Sequence, residues 1–483
     1  MDFNKYVNLA RQVDKALVLY SLGIATVLLL AIQFRRVLTT RAKLKAIPTV
    51  GSSGIITSWV DAFKFVHHAK EIIEEGRKLH YGSAFKVPLL DQWMIVVSGP
   101  EKINDIRKSS TEQLSFMDAS VDLLQMDYTI GRSIGADPYH VDVIRGALTR
   151  NIAACFADVQ DEIRAAFIDH IPMTEDWIEV PAYQVALQII CRASNRMFVG
   201  LPLCRNQEYI DLNINHTINA FSCAYTLNLL PDFLKPIIAF FTTPRRRAND
   251  MLSWLLDATK GIKERRTVRE LSIEMLGVNV GAIHTTTMTF TNALFALAAH
   301  PEYVETLRTE VESMIKEEGN TKAAMGRMNQ LDSFLKETQR LYGDFGVFGM
   351  RRKARKDFAF SDGTVIPAGT QVAVVSWCTH LDEVKANPLE FKPWRFSERR
   401  KHEGDGSRHQ MTTPSLDFIF FGHGRSACPG RFFAVSELKV LMCYILMNYD
   451  VKIDEVPPCM WFSSEKFPNT NSKVSFRKRT YTA

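Results

Sequence analysis

The residues from Ile273 to Pro301, IEMLGVNVGAIHTTTMTFTNALFALAAHP, constrain the fold more than any other stretch. Their pattern is helical, but the run is too long and too apolar for a surface helix, whose apolar residues would form one stripe. It must therefore cross a core, and the rest of the chain has to supply the elements around it. The 483 residues, 46% of them hydrophobic and 23% charged, provide apolar material for a large core in a globular composition. A second long helical segment, HVDVIRGALTRNIAACFADVQDEIRAAFIDHI, spans residues 140–171. Residues 101–330 read as mainly helical. Two β-prone runs within Phe85–Val97 predict a hairpin around PLLDQ, and DFAFSDGTVIPAGTQVAVVSW predicts short strands joined by Asp-Gly and Pro-Ala-Gly turns. The expectation is one large domain, mainly α with a minor β part, closing with a helix over Phe432–Asn448.

At the N-terminus, Ala16–Phe34 is 19 residues without a charge, and a bilayer core needs roughly 20. No small-residue cleavage site follows, which points to a retained anchor rather than a cleaved signal. Lys5, Arg11 and Lys15 precede the span; Arg35, Arg36, Arg41, Lys43 and Lys45 follow it. The heavier positive charge after the span places the bulk of the chain in the cytosol. The expected division is a short lumenal segment (1–15), a transmembrane anchor (16–34), a basic, proline-containing linker (35–50) and a folded body (51–483). This is the layout of a single-pass membrane protein. LPDFLKPIIAFFTTPRRR, Leu230–Arg247, reads either as a membrane-dipping loop or as a buried connector. A net charge of only +6, from 59 basic and 53 acidic residues, argues against bulk nucleic-acid binding. The eight cysteines form no C-x-x-C pair, which argues against a zinc ribbon, and unpaired spacing suits a reducing compartment.

One cysteine stands apart. In FFGHGRSACPGRFFA, residues 420–434, Cys428 lies between glycines and arginines on one side and an apolar, helix-like segment on the other. Pro429 suits a helix's first turn, where its missing N–H costs nothing. A helix N-terminus and the nearby Arg425 and Arg431 both favour a thiolate. Gly422, Gly424 and Gly430 let backbone approach something flat and bulky. A hydrolytic nucleophile would want a partnering histidine, and none is singled out; His423 is too close in sequence. A single thiolate suits an axial metal ligand better. Haem iron is the case in which one protein ligand suffices, because the macrocycle supplies four nitrogens.

On these residues the chain resembles the cytochromes P450. FGHGRSACPG is similar to the family's haem-ligand loop, F-x-x-G-x-R-x-C-x-G, with Phe421, Gly424, Cys428 and Gly430 in place. Ser426 stands where the family has arginine or histidine to hydrogen-bond a haem propionate, and Arg425 is shifted by one. KETQR supplies Glu337 and Arg340, similar to the family's E-x-x-R; at i and i+3 they share a helix face. Arg395 in FKPWRF would complete the family's Glu-Arg-Arg triad, a structural clamp. GAIHTT, residues 281–286, resembles the distal-helix signature A/G-G-x-D/E-T-T. Thr285 falls on the threonine that helps deliver protons during oxygen activation. Ala282 replaces the second glycine, and His284 stands where the acid sits. His284 is then either a member of a proton relay or a side chain turned away from the haem. Arg352, and Arg145 with His140 beside it, fall where the family has haem-contacting cations; with Ser426 uncharged, these should matter more.

The resemblance implies a cytochrome P450 fold behind an N-terminal transmembrane helix, with haem b ligated by Cys428. It further implies an NADPH-cytochrome P450 reductase carrying FAD and FMN as partner, and a monomer that oxidises a hydrophobic small molecule. The loop and helix variants resemble fungal secondary-metabolism members, which points to a terpenoid or sterol-like substrate. Arg425, Arg431 and the run Glu398–His402 would help form a basic face for the reductase, or a solvated charged surface. Residues 343–350, 281–285 and 461–467 would line the pocket. Two other readings stay open: a reductase-independent haem-thiolate isomerase or peroxygenase, and a non-enzymatic haem carrier or sensor.

Overall fold

The structure is a computed structural model that describes residues 15–90, 92–230, 234–242, 268–343, 345–381, 387–401 and 406–480. Helix α1 (Lys15–Lys43) leads into α2 (Ile55–Leu79). The hairpin expected around Pro88 is present: β1 (Ala84–Pro88) pairs antiparallel with β2 (Trp93–Val97), Ala84 opposite Val97. Strand β3 (Leu114–Ser115) follows. Helix α3 (Phe156–His170), strand β4 (Ile178–Pro181), and helices α4 (Ala182–Phe198), α5 (Gln207–Asn228), α6 (Val268–Ala299), α7 (Val304–Glu318) and α8 (Asn329–Leu341) build the helical part. Strands β5 (Phe348–Ala354) and β6 (Gln371–Val375) return to the first sheet. The chain closes with α9 (Arg431–Asn448), β7 (Tyr449–Lys452) and β8 (Lys473–Lys478).

The five-stranded sheet has the order β1-β2-β6-β5-β3, with β2 and β6 parallel and its other pairs antiparallel. Its two middle strands, WMIVV and QVAVV, are near-continuous apolar runs because both of their faces are covered. A three-stranded sheet, β4-β8-β7, is antiparallel throughout. The expected strands within residues 357–377 form as Phe358–Ala359, Val365–Ile366 and β6.

The segment around Ile273 is one unbroken helix, α6, and residues 286–298 are buried on every side, as a helix with no polar face requires. Its Phe290, Leu294 and Leu297 pack in one core cluster with Ile163 and Phe167 of α3, Ile190 of α4, Phe334 of α8 and Leu438 and Leu441 of α9. Residues 140–171, by contrast, are not one helix. A short helix, Tyr139–Val143, widens into a π-type turn at Ile144–Leu148, and the chain breaks before α3 starts at Phe156. The Ile144 carbonyl accepts the backbone N–H of Thr149, the five-residue bond that makes the turn wide, and the Thr149 hydroxyl donates to the same oxygen at 2.7 Å.

The linker assigned to residues 35–50 also differs from expectation. Residues 35–43 continue α1 as helix, and Leu44, Ile47 and Val50 are already core residues. Leu44 and Ile47 join Ile95 and Val97 against the sheet, because apolar side chains at that spacing are better buried than solvated. Ala16–Phe34 lies within α1; among the described residues no helix is long and apolar enough to cross a membrane. Lys235–Thr242 is a helix, while the arginines at 245–247 and the segment 1–14 lie outside the described residues.

Helix α9 carries a group with a pH signature. Glu437 is buried, and among the described residues its hydrogen bond comes from the Ser194 hydroxyl of α4, 2.9 Å from Oε1. Burial pushes its carboxyl from an ordinary 4.5 up to about 8. Between those values the folded protein holds a proton that the unfolded chain has lost. The contribution to stability is therefore full below 4.5 and is lost as the pH rises towards 8. Glu437→Gln keeps the shape and an acceptor for Ser194, so it is expected to flatten this part of the stability–pH curve in urea unfolding.

Candidate active site

The loop before α9 is built around two left-handed glycines. Gly422 has φ 67° and Gly424 φ 74°, and a Cβ at Gly424 would lie 2.3 Å from the Arg107 carbonyl oxygen. Only glycine meets both demands at 424. Residues Gly424–Ser426 make a tight turn closed by Ala427 N–H donating to the Gly424 carbonyl at 3.1 Å. The Cys428 N–H then donates to the Phe421 carbonyl at 2.8 Å, which presents the thiol just ahead of α9. Burial pushes the Cys428 thiol up; the amides of Gly430 and Arg431 and the Arg431 guanidinium act against it. The helix start thus favours a thiolate without outweighing burial, and a metal cation on sulfur would supply what is missing. Among the described residues, no three His, Cys, Asp or Glu gather to hold a metal ion. A metal on Cys428 would therefore draw its other ligands from a prosthetic group.

Cations ring this loop in different ways. Arg145, aimed by the π-type turn, donates from Nη2 to the Arg425 carbonyl at 2.7 Å and so braces the thiol loop. The Arg425 side chain is exposed. Arg352, on β5, is buried, and among the described residues it donates only to the neighbouring Arg351 carbonyl, at 2.7 Å, with no carboxylate beside it. Burial lowers its guanidinium to about 10. A buried cation without a counter-charge is costly, so Arg352 fits a site that receives a carboxylate from a bound group. Ser426 is half-buried, and among the described residues its hydroxyl makes no hydrogen bond. His140 does not join the loop: its Nδ1 lies 2.8 Å from Glu274 Oε2 on α6. Arg431 is not free for a basic surface either, because its guanidinium donates to the carbonyls of Thr412 and Cys428 at 3.0 and 2.9 Å. Arg400 pairs with Asp332 at 3.2 Å, and His402 lies outside the described residues.

On α6, the Thr285 hydroxyl donates to the Gly281 carbonyl at 2.7 Å, the back-bond by which a mid-helix threonine loosens its own turn. Gly281 is exposed, and a Cβ there would meet nothing within 4 Å, so the helix opens onto free space on this side. His284 faces the other way. Its Nε2 lies 3.3 Å from the Ile214 carbonyl of α5, and burial depresses the imidazole to about 4. It is a neutral group on the α5–α6 seam, with Nε2–H as donor.

Glu337, Arg340 and Arg395 come together. Arg340 grips Glu337 with two bonds, Nε to Oε2 at 2.7 Å and Nη2 to Oε1 at 2.8 Å; Arg395 Nε reaches both oxygens at 3.0 Å. Their spare N–H groups donate to the carbonyls of Pro388, Glu390 and Asn387. The clamp thereby ties α8 to the segment that leads towards the thiol loop. A second clamp beside it went unread in the sequence. Asp332, one turn before Lys336 on α8, accepts from Lys439 of α9 at 2.8 Å and from Arg400, and from the Met411 amide at 2.9 Å. Lys336 donates to the Gln410 carbonyl at 3.0 Å and stands 4.5 Å from the Phe418 ring. The only signal was an acid and a base at i and i+4 on a face that reads as solvated.

Two of the three segments expected to line a pocket, 343–350 and 461–467, meet. Val347 N–H donates to the Ser464 carbonyl at 2.9 Å, Lys466 N–H to the Phe345 carbonyl at 3.0 Å, and Phe462 stands edge-on to Tyr225 of α5 at 5.4 Å.

The cytochrome P450 family model matches residues 222–476. Cytochrome P450 monooxygenase 151 of Postia placenta is 40% identical over 471 residues, covering 90% of this chain and 94% of that protein. Ent-kaurene oxidase P450-4 of Gibberella fujikuroi is 28% identical, covering 90% and 93% respectively. The solved structure of retinoic-acid-bound cyanobacterial CYP120A1 superposes with a TM-score of 0.63 at 18% identity, covering 90% of this chain and 98% of that one, and shows the same fold. The thiol loop, the back-bonded threonine turn of α6 and the buried triad thus sit in a chain that belongs to the cytochrome P450 family, a monooxygenase whose cofactor is haem b.

Proposed function

We propose that this chain hydroxylates or further oxidises a hydrophobic small molecule, terpenoid or sterol-like, with O2 and electrons from an NADPH reductase carrying FAD and FMN. It does so as a monomer, anchored by residues 16–34 in the endoplasmic reticulum membrane with its body in the cytosol. The reading is carried by two features together: a solitary, helix-backed thiol at Cys428, and an exposed α6 turn at Gly281 that Thr285 back-bonds. The apolar and aromatic residues around 345–350 and 461–467 favour a hydrophobic ligand. The name of the Gibberella relative, an ent-kaurene oxidase, supports a terpenoid.

The residues present fit haem. Cys428 would ligate its iron, and Arg352, Arg145 and Arg425 would answer its carboxylates. Haem bound there supplies the oxygen-activating chemistry. Thr285 would hold and pass a proton through its hydroxyl, exchanging the Gly281 carbonyl for a water or oxygen acceptor. His284, neutral and turned to α5, would set the position of that turn. The test is turnover of candidate diterpenes and sterols with NADPH and reductase. Product with peroxide alone, and none with the reductase, would sink the reading.

Thr285→Ala is expected to cut product formation by about 100-fold, the low end for losing a positioned proton donor. Substrate binding, followed by its spectral change, should stay intact. Ser426→His and Ser426→Arg are expected to hold haem at least as well as the wild type, because they add a donor next to Arg425. Faster haem loss to apomyoglobin would show that the serine is a fitted part of the loop.

A further inference from the structure

Lys466 is a buried lysine whose ammonium has no partner. It is 6% exposed, and among the described residues its Nζ makes no hydrogen bond and no ion pair; it stands 6.0 Å from the centre of the Trp461 ring. Four other buried lysines are all answered. Lys86 donates to the carbonyls of Leu44 and Ile47, Lys102 pairs with Asp362 at 2.5 Å, Lys336 donates to the Gln410 carbonyl, and Lys439 pairs with Asp332. Burying an ammonium without an acceptor is costly, and an aromatic face returns only part of that cost.

The hairpin that carries Lys466 explains why its own chain does not supply the anion. Met460–Phe462 pairs antiparallel with Glu465–Phe467, and Trp461 lies directly opposite Lys466, so the two side chains share one face. Glu465, the next residue, falls on the other face, where Arg351 takes its carboxylate at 2.9 Å. On the Lys466 face the facing element is α2, and it brings a second cation rather than an acid. Lys70 of α2 is half-buried, with its Nζ 4.8 Å from the Trp377 ring and 5.9 Å from the Trp461 ring, and among the described residues it too has no ion pair. Two ammoniums therefore meet at one indole with no counter-charge between them.

The walls around them are apolar. Trp377, Trp461 and Phe348 pack against the core cluster that holds Phe65 of α2, and Phe348 stacks on Phe65 with ring centres 5.9 Å apart. A free inorganic anion would lose its water here and gain little from such walls, whereas an anion with an apolar body gains from both parts of the site. The seam is continuous with the segments read above as pocket lining, because the Lys466 N–H donates to the Phe345 carbonyl at 3.0 Å.

We infer that Lys466, with Lys70 across the seam, is a carboxylate-binding subsite, and that the ligand of this chain is a hydrophobic carboxylic acid held by its acid end between α2 and the 460–467 hairpin. This deepens the reading of a hydrophobic substrate and rests on it. Lys466 is then a specificity-determining residue: it selects the ionised acid over a neutral molecule of the same shape.

The test is calorimetric titration of the full-length holoprotein at neutral pH and low salt with two matched pairs, dehydroabietic acid and its primary amide, and dodecanoic acid and its primary amide. The reduced, carbon monoxide-bound spectrum of each protein confirms folding. The expected result is that wild type binds one or both acids about 10- to 100-fold more tightly than the matching amide, the worth of one charge-assisted hydrogen bond. Lys466→Met should remove that preference, Lys466→Arg should keep it, and Lys70→Met should reduce it. Equal affinity of wild type for acid and amide overturns the subsite and leaves the hydrophobic-substrate reading standing, as does a preference that survives in Lys466→Met. Binding of neither member of either pair by a holoprotein with a normal spectrum overturns both.

Discussion

Cys428→Ala abolishes the red-shifted Soret band of the reduced, carbon monoxide-bound protein and all NADPH-driven oxidation. The loss is complete because no second residue can take over. Among the described residues, no group of His, Cys, Asp or Glu is placed to hold a metal, and His423, the nearest histidine in sequence, accepts from the Gly424 amide through Nδ1 at 2.9 Å. The backbone of the loop does not depend on the sulfur: the Cys428 N–H still donates to Phe421, and Gly422 and Gly424 keep their left-handed turns. The alanine variant should therefore fold, with an unfolding midpoint close to that of wild-type apoprotein. A wild-type spectrum without the thiolate band would remove the basis of the whole functional reading.

Glu337→Gln has the other large effect, on folding rather than on chemistry. The side chain is fully buried and neutralises two guanidinium groups, of which Arg340 is buried and Arg395 nearly so. An amide of the same shape leaves both cations facing each other across a neutral group and offers one acceptor oxygen where there were two. Removing one partner of a buried ion pair costs about 3–5 kcal/mol, a large share of the roughly 5–15 kcal/mol that holds a domain together. The expected outcome is a lower urea midpoint, with haem content falling in proportion, because the clamp ties α8 to the segment that leads towards the thiol loop. A variant with wild-type stability and haem content would show that the backbone carbonyls of Pro388 and Glu390 alone can hold the two arginines.

Both effects were open to sequence reading for a physical reason. The Cys428 loop is local: its turns need glycine at 422 and 424, and its helix start needs residues within a few positions of the thiol. Glu337 and Arg340 are also local, one turn apart on α8. Helix α6 was legible because a run with no polar face has only one kind of place to go. Where the sequence reading failed, distance along the chain was the cause. The helix over residues 140–171 had good periodicity, but Thr149 and the wide turn at Ile144 broke it in favour of aiming Arg145 at the Arg425 carbonyl, far away in sequence. His140 looked like a neighbour of Arg145 and instead pairs with Glu274 on α6.

By itself, then, the sequence determined the elements whose cause is local: the buried α6, the thiol presented at a helix start, the hairpin around PLLDQ and the α8 ion pair. Helix periodicity, left-handed glycines and i to i+3 contacts act over a few residues and need no partner element. Only the tertiary structure decided which cations remain without a counter-charge and which way His284 points. Those outcomes depend on burial, and burial of a side chain is set by elements hundreds of residues away: Arg352 is an ordinary arginine in a strand until β5 is enclosed, and only then does it become a cation in need of an anion.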